Sequence, residues 1–295
     1  MLVSLKEIME YTRKNGNAVG AFNCCNYESV AAVVGAAEEL KLPVIISYAE
    51  VHKDIISIRD IVPVMLHFAR KSCVPVCVHF DHGVSLESCV EAMKEGCTSV
   101  MIDASARSYE ENIKITRQVV KLAHNMGITV EAELGHIFTS DMGMGKKKTY
   151  DEIESADNFQ NINDIYTDPD IAKDFVEKTE VDVLAIAFGT SHGVYIKKPV
   201  LDLGRISKIK EKIDIPFVMH GGSGLSEEEY RQAIKNGIKK INYYTYMALA
   251  GGKAVKKAMD KKEKEENIFF HEIPLLAIQE MKENVKAAMK IFALQ

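Results

Sequence analysis

The chain contains no apolar run approaching the ~20 residues that a membrane-crossing helix requires. Its net charge of −5 gives no basic field, which argues against nucleic acid as a partner. Six cysteines, at positions 24, 25, 73, 77, 89 and 97, show no C-x-x-C spacing. That excludes a disulfide framework or cysteine zinc site in favour of small buried thiols, and it fits a reducing, cytoplasmic setting. The first residues, "MLVSLKEIMEYTRKNG", pattern as an amphipathic helix without a signal-peptide cleavage site. No G-x-G-x-x-G follows the first apolar run, so a dinucleotide-binding Rossmann fold is disfavoured.

What is present is a regular alternation of short apolar runs with helical patterns. The runs are 18–23, 43–49, 75–81, 98–104, 128–134, 181–188, 216–221 and 239–245. They are nearly continuous in Val, Ile, Leu and Ala, as parallel strands covered on both faces should be. Between them lie stretches such as "YEENIKITRQVVKLAHNMG" (109–127), with apolar residues three and four apart. Eight such units predict an α/β fold, a (β/α)8 TIM barrel forming a single domain over residues 1–295. Two segments depart from the rhythm. Residues 136–169 form a long polar insertion after the fifth strand, a lid-like or binding loop by its length. Residues 253–295 form a C-terminal helical extension, charged at first and then amphipathic, expected to pack on the barrel or on a neighbouring subunit.

In such a barrel the functional groups collect at the C-terminal ends of the strands. Those positions hold Asn23, Asp81, His82, Asp103, Glu133, His192, His220 and Asn242. Three of the nine histidines follow apolar runs and precede glycine, in "DHG", "SHG" and "MHGG". Three neutral imidazoles can hold a zinc ion and leave one position open for substrate. Unrelated core histidines are the alternative at this point. The other histidines (52, 67, 79, 124, 136, 271) read as strand, helix or surface residues. "HGGSGLSEEEYRQAI" (220–234) places small residues before a helix capped by Ser226, a loop whose N–H groups suit a phosphate. No strand is expected to carry a lysine in its interior, since Lys239 and Lys240 fall at a strand's entrance; a Schiff base is therefore disfavoured against a metal.

Taken in order, "AFN" (21–23), "DHG" (81–83), "TSVMID" (98–103), "EENI" (110–113), "VEAELG" (130–135), "YTDP" (166–169), "GTSHGVY" (189–195), "HGGSG" (220–224) and "KIN" (240–242) resemble the class II, metal-dependent ketose-bisphosphate aldolases. The resemblance implies a catalytic zinc on His82, His192 and His220, with Asp103 and Glu133 as carboxylates near an alternative divalent position. It implies that Asp81 is the acid/base that deprotonates the C4 hydroxyl. Gly193, Gly221, Ser223, Asn242 and Thr245 match the positions that bind the substrate phosphate, often with a monovalent cation (Na+ or K+). Asn23 would lie near the same half of the substrate. Homodimers or larger homo-oligomers are common in the family, and the substrate is a phosphorylated ketose.

Four positions depart from that pattern. The family's loop glutamate, which moves protons on the enediolate, is matched by Asp141 in "HIFTSDMG". Ala49 stands where a serine is common. Tyr244 occupies the position that helps sort fructose from tagatose configuration, and Tyr246 replaces an acidic residue, so the aldehyde half of the pocket is reshaped. The Lys146–Lys148 run could meet a second phosphate or simply be solvated. Cleavage of a ketose 1-phosphate or ketose 1,6-bisphosphate is the leading reading. A zinc-dependent isomerase or epimerase, and a noncatalytic sugar-phosphate-binding subunit, are the alternatives.

Overall fold

The structure, a computed structural model, describes residues 1–139, 165–195, 198–262 and 269–295. Asp141 and Lys146–Lys148, to which expectations were attached, lie outside the described residues. Eight parallel strands form the core: β1 (Val19–Asn23), β2 (Val44–Ala49), β3 (Val76–Gly83), β4 (Ser99–Ile102), β5 (Thr129–Leu134), β6 (Val183–Ile186), β7 (Phe217–Met219) and β8 (Ile238–Tyr243). Each pairs with its neighbour in sequence, and β8 pairs with β1, which closes the sheet into a barrel. Every one of the eight apolar runs became a strand within a few residues of its expected bounds.

The α-helices among the described residues are α1 (Leu5–Asn15), α2 (Tyr27–Leu40), α3 (Ile58–Lys71), α4 (Leu86–Glu95), α5 (Tyr109–Asn125), α6 (Pro169–Thr179), α7 (Leu203–Lys210), α8 (Glu227–Asn236), α9 (Thr245–Lys262) and α10 (Glu272–Phe292). Serine or asparagine capping boxes start α1, α2, α4, α5 and α8, the last at Ser226 as expected. α1 turns its apolar face, Leu5, Ile8 and Met9, onto Val19, Ile45, Cys77, Val183 and Val218, and so plugs the N-terminal end of the barrel. α9 starts directly after β8, so residues 253–262 continue the eighth barrel helix and the segment added beyond the eight units is α10. That helix buries Met281, Val285, Met289 and Phe292 against the barrel wall. The Phe292 ring packs edge-on to Tyr230 and Tyr243, with centroids 5.0 and 6.2 Å apart.

Side chains along a strand alternate between faces. In β3, Val76, Val78 and Phe80 join the core under the helices, while Cys77, His79 and Asp81 face the barrel interior. The same rule sends Glu131 and Glu133 of β5, and Lys240 and Asn242 of β8, inward in successive layers. The lowest layer is apolar; the upper ones are polar.

Candidate active site

Asp81 and His82 are neighbours on one strand, so simple alternation would send them to opposite faces. Two features break the alternation. His82 adopts a left-handed backbone (φ 52°), rare for a residue with a Cβ. The β3–β4 register also slips between Phe80 and Gly83, which pair with Val100 and Ile102, so one extra residue bulges out of β3. Both side chains consequently reach the same cavity, of about 320 Å³, at the C-terminal mouth of the barrel. Asn23, Asp103, Glu133, His192, Gly193, Gly221, Ser223, Asn242, Tyr244 and Thr245 also line it, and His220 lies buried directly beneath. All the sequence-derived site residues within the described part therefore converge.

Ligand atoms of His82, His192 and His220 all lie within 4.8 Å of one another. The hydrogen bonds show which atoms would meet an ion. His82 Nδ1 is 2.9 Å from Asp103 Oδ2, and His220 Nε2 is 2.8 Å from Glu131 Oε1. Each carboxylate accepts from its histidine, leaving His82 Nε2 and His220 Nδ1 to face each other at 2.8 Å. Burial opposes charge on His82, but Asp81, Asp103 and Glu133 outweigh it and push its pKa up to about 10. The positive charge that these carboxylates favour falls where the two nitrogens face each other. The surroundings favour a cation at that point, and three imidazoles with carboxylates behind them are the donor set a zinc ion prefers. Burial, then the charge of His82, holds His192 down to about 3, so it is neutral.

Asp103 and Glu133 join His82 in a second possible ion group. Ser105 Oγ is 2.7 Å from Asp103 Oδ1 and 3.3 Å from Glu133 Oε1. Among the described residues Glu133 Oε2 is buried without a hydrogen-bond partner. Burial and the adjacent Asp103 raise the Glu133 carboxyl well above the usual range, which a bound divalent ion would relieve.

Asp81 is fully buried, with Asn23 Nδ2 donating to Oδ2 at 3.0 Å and Asn242 Nδ2 donating to Oδ1 at 3.0 Å. Burial opposes its charge, yet His82, His220, Lys240 and His79 together hold it ionised. It is an acceptor at any working pH.

The glycine after His220 has a steric reason. Gly221 has φ 62°, and a Cβ there would fall 2.5 Å from the carbonyl carbon and oxygen of Ser191. This close approach of two backbones brings His192 beside His220. Tyr195 fastens it, its hydroxyl donating to Gly221 O at 2.6 Å and accepting from Ser191 N at 3.3 Å. Ser223 Oγ accepts from Tyr244 N at 3.1 Å, so the small-residue loop and the start of α9 are tied together at the cavity wall. Other quoted motifs brace the site from outside. Asn112 Nδ2 donates to Glu133 O at 3.1 Å, and Thr167 bridges Leu134 O and Ala187 N.

One expectation is overturned. Lys240 is not at a strand entrance but fully buried in the barrel interior, its Nζ 2.9 Å from Glu131 Oε2 and 2.7 Å from Asn242 Oδ1. β8 begins at Ile238, one residue before the expected run, so Lys240 is its third residue and alternates inward with Asn242. Glu131, His79 and His52 were also passed over. Alternation in "VEAELG" puts Glu131 on the same face as Glu133, and that signal was available. His52, by contrast, sits in a short 3₁₀ turn (Glu50–His52), where nothing local predicts that it lines the cavity. Its ring packs on Tyr244 with centroids 4.8 Å apart.

Comparison with known proteins gives a consistent picture. The family model described as "Fructose-bisphosphate aldolase class-II" matches residues 3–295. A fructose-bisphosphate aldolase of Thermus caldophilus is 36% identical over 315 aligned positions, covering 99% of this chain and 98% of its own. The protein YdjI of Escherichia coli K12 is 40% identical over 244 residues, 83% of either chain. The crystal structure of the E. coli YdjI aldolase superposes with a TM-score of 0.83, at 34% identity over 99% of this chain and 97% of that one.

Proposed function

Because the chain belongs to the class II fructose-bisphosphate aldolase family, we propose that it cleaves a ketose 1-phosphate or ketose 1,6-bisphosphate into dihydroxyacetone phosphate and an aldehyde. The observation that carries this reading is the bulge in β3. It delivers a fixed carboxylate, Asp81, and a metal-competent imidazole, His82, from consecutive residues into one cavity. A zinc ion on His82, His192 and His220 would polarise the ketose carbonyl and stabilise the negative charge that develops as C3–C4 breaks. Asp103 and Glu133 offer an alternative divalent position beside it.

The chain's own groups supply the rest. Asp81 accepts the C4 hydroxyl proton whose loss drives cleavage. Asn23 and Asn242 hold its two oxygens in place, one amide on each. The phosphate of the ketose lies against Gly193, Gly221, Ser223 and Thr245, with a monovalent cation beside it. Asn242 contributes less directly, since its amide is committed to Asp81 and Lys240. Asp141, from the segment after β5, exchanges the enediolate proton. His52 and Tyr244 present an imidazole and a phenol to the aldehyde half, partners suited to sugar hydroxyls.

The test is dihydroxyacetone phosphate release from fructose and tagatose 1,6-bisphosphates and a panel of ketose 1-phosphates, with chelator and then with zinc restored. Release that chelator abolishes and zinc returns is the expected result. A zinc-loaded protein that releases none from any sugar would overturn the reading.

A further inference from the structure

Lys240 lies beneath the cavity rather than on its wall, buried among groups that each reach the site in one step. An ammonium only donates, so the Asn242 atom that faces it at 2.7 Å is the amide oxygen. The planar amide must then turn its NH2 the other way, onto Asp81 Oδ1 at 3.0 Å. Asp81, which only accepts, selects the NH2 end from its side, and Lys240, which only donates, holds the oxygen from the other, so the amide is fixed from both ends. An inverted Asn242 would point an oxygen at the carboxylate.

The second arm runs through Glu131. Its Oε2 forms an ion pair with Lys240 Nζ at 2.9 Å, and its Oε1 accepts from His220 Nε2 at 2.8 Å. A proton kept on Nε2 leaves Nδ1, the atom facing His82, with its lone pair. Lys240 also supplies the positive charge for the buried group of His79, Asp81 and Glu131, which could otherwise draw a metal ion away from the three histidines.

We propose that Lys240 is a positioning residue that sets the base and the metal site together, orienting Asn242 toward Asp81 and Glu131 toward His220. The roles of Asp81 and His220 rest on the aldolase reading; the orientation of the two side chains does not. Lys240 makes no contact with substrate in this scheme, since it is fully buried and does not line the cavity.

Three variants test it: Lys240→Met, Glu131→Leu, and the two combined, each compared with wild type for thermal midpoint, zinc affinity by chelator competition, and kcat and KM on the best ketose of the panel. Either single change strands a buried charge and lowers the midpoint; the double change removes both charges and restores it. Zinc affinity falls about 10–100-fold in all three. With zinc saturating, kcat falls at least about 10-fold in both variants lacking Lys240, while KM stays within about threefold. If Lys240→Met loses only its midpoint, or the double variant regains zinc affinity and kcat together with stability, Lys240 is structural and the proposal fails. Should Lys240→Met not fold, the double variant decides the question alone. In metal-free wild type, ¹⁵N-histidine spectra should show His220 protonated at Nε2; protonation at Nδ1 would overturn the second arm. A wild type that binds zinc but cleaves no ketose fails the aldolase reading instead, and the zinc and tautomer measurements still decide this one.

Discussion

Replacing Gly221 by alanine tests whether the metal site depends on the close approach of two backbones. The new Cβ would stand 2.5 Å from Ser191 C and O, where ordinary contact begins at 3.4 Å. Backbone cannot rotate aside as a side chain can, so the two segments must part by close to an ångström. Ser191 is bonded to His192, and the Tyr195 hydroxyl that joins the segments would be pulled with them. Metal–ligand distances tolerate only about 0.2 Å, and a misplacement of about 1 Å costs on the order of 100-fold in rate. Gly221→Ala should therefore lose at least about tenfold in zinc affinity and about 100-fold in turnover. Gly16→Ala is the control: its φ is 70° but nothing lies within 4 Å of the added Cβ. It carries the left-handed backbone cost alone, about 1 kcal/mol, and should leave zinc binding unchanged. Chelator competition and a thermal melt on both variants suffice. Zinc affinity and turnover within about twofold of wild type in Gly221→Ala would refute the reasoning.

Asp81→Ala should lower kcat by about 10²–10⁴ while leaving zinc bound, measured by metal content of the purified variant; turnover retained with zinc in place removes Asp81 from the mechanism. The metal-free protein should be most stable near pH 6.5. Burial, then Lys240, holds the His79 pKa down to about 3, so the unfolded chain binds its proton first and stability is lost as pH falls from 6.5 toward 3, by about 1.4 kcal/mol per unit. His82, raised to about 10, contributes stability fully present below 6.5 and lost as pH rises through 10. Urea unfolding across pH checks both limbs, and a His79→Gln variant with an undiminished acid limb would contradict the first. Phe292→Ala empties a site between Tyr230 and Tyr243 and should cost about 3–5 kcal/mol in the same assay, with zinc affinity unchanged.

The barrel was legible because each strand is covered on both faces and so reads as an apolar run, and because small polar caps punctuate the helices. The site was legible where its residues sit at strand ends: His82, His192, His220, Asp81, Asp103 and Glu133 all fall where a barrel exposes its chemistry. One layer deeper, Lys240 was not. Lys240 stands near the start of its apolar run, where a charge looks like a boundary until its partner Glu131, 109 positions away in sequence, is known; Glu131 itself could be placed inward by alternation with Glu133. The bulge at His82 was equally hidden, since it is a property of the pairing with β4 and not of β3 alone. His52 depends on where a short turn folds over the mouth.

That bulge has a mechanical consequence. The residues proposed as base and metal ligand are joined by a single peptide, so thermal shearing of strands past one another carries Asp81 and His82 together. His192 and His220 follow two other strands, β6 and β7, so their distance from that pair changes with the breathing of the barrel. Flexing of the scaffold can then alter how tightly an ion is gripped, while the spacing between proton acceptor and ion at His82 stays constant. Two functions that would need alignment if they came from different strands are built here as one part.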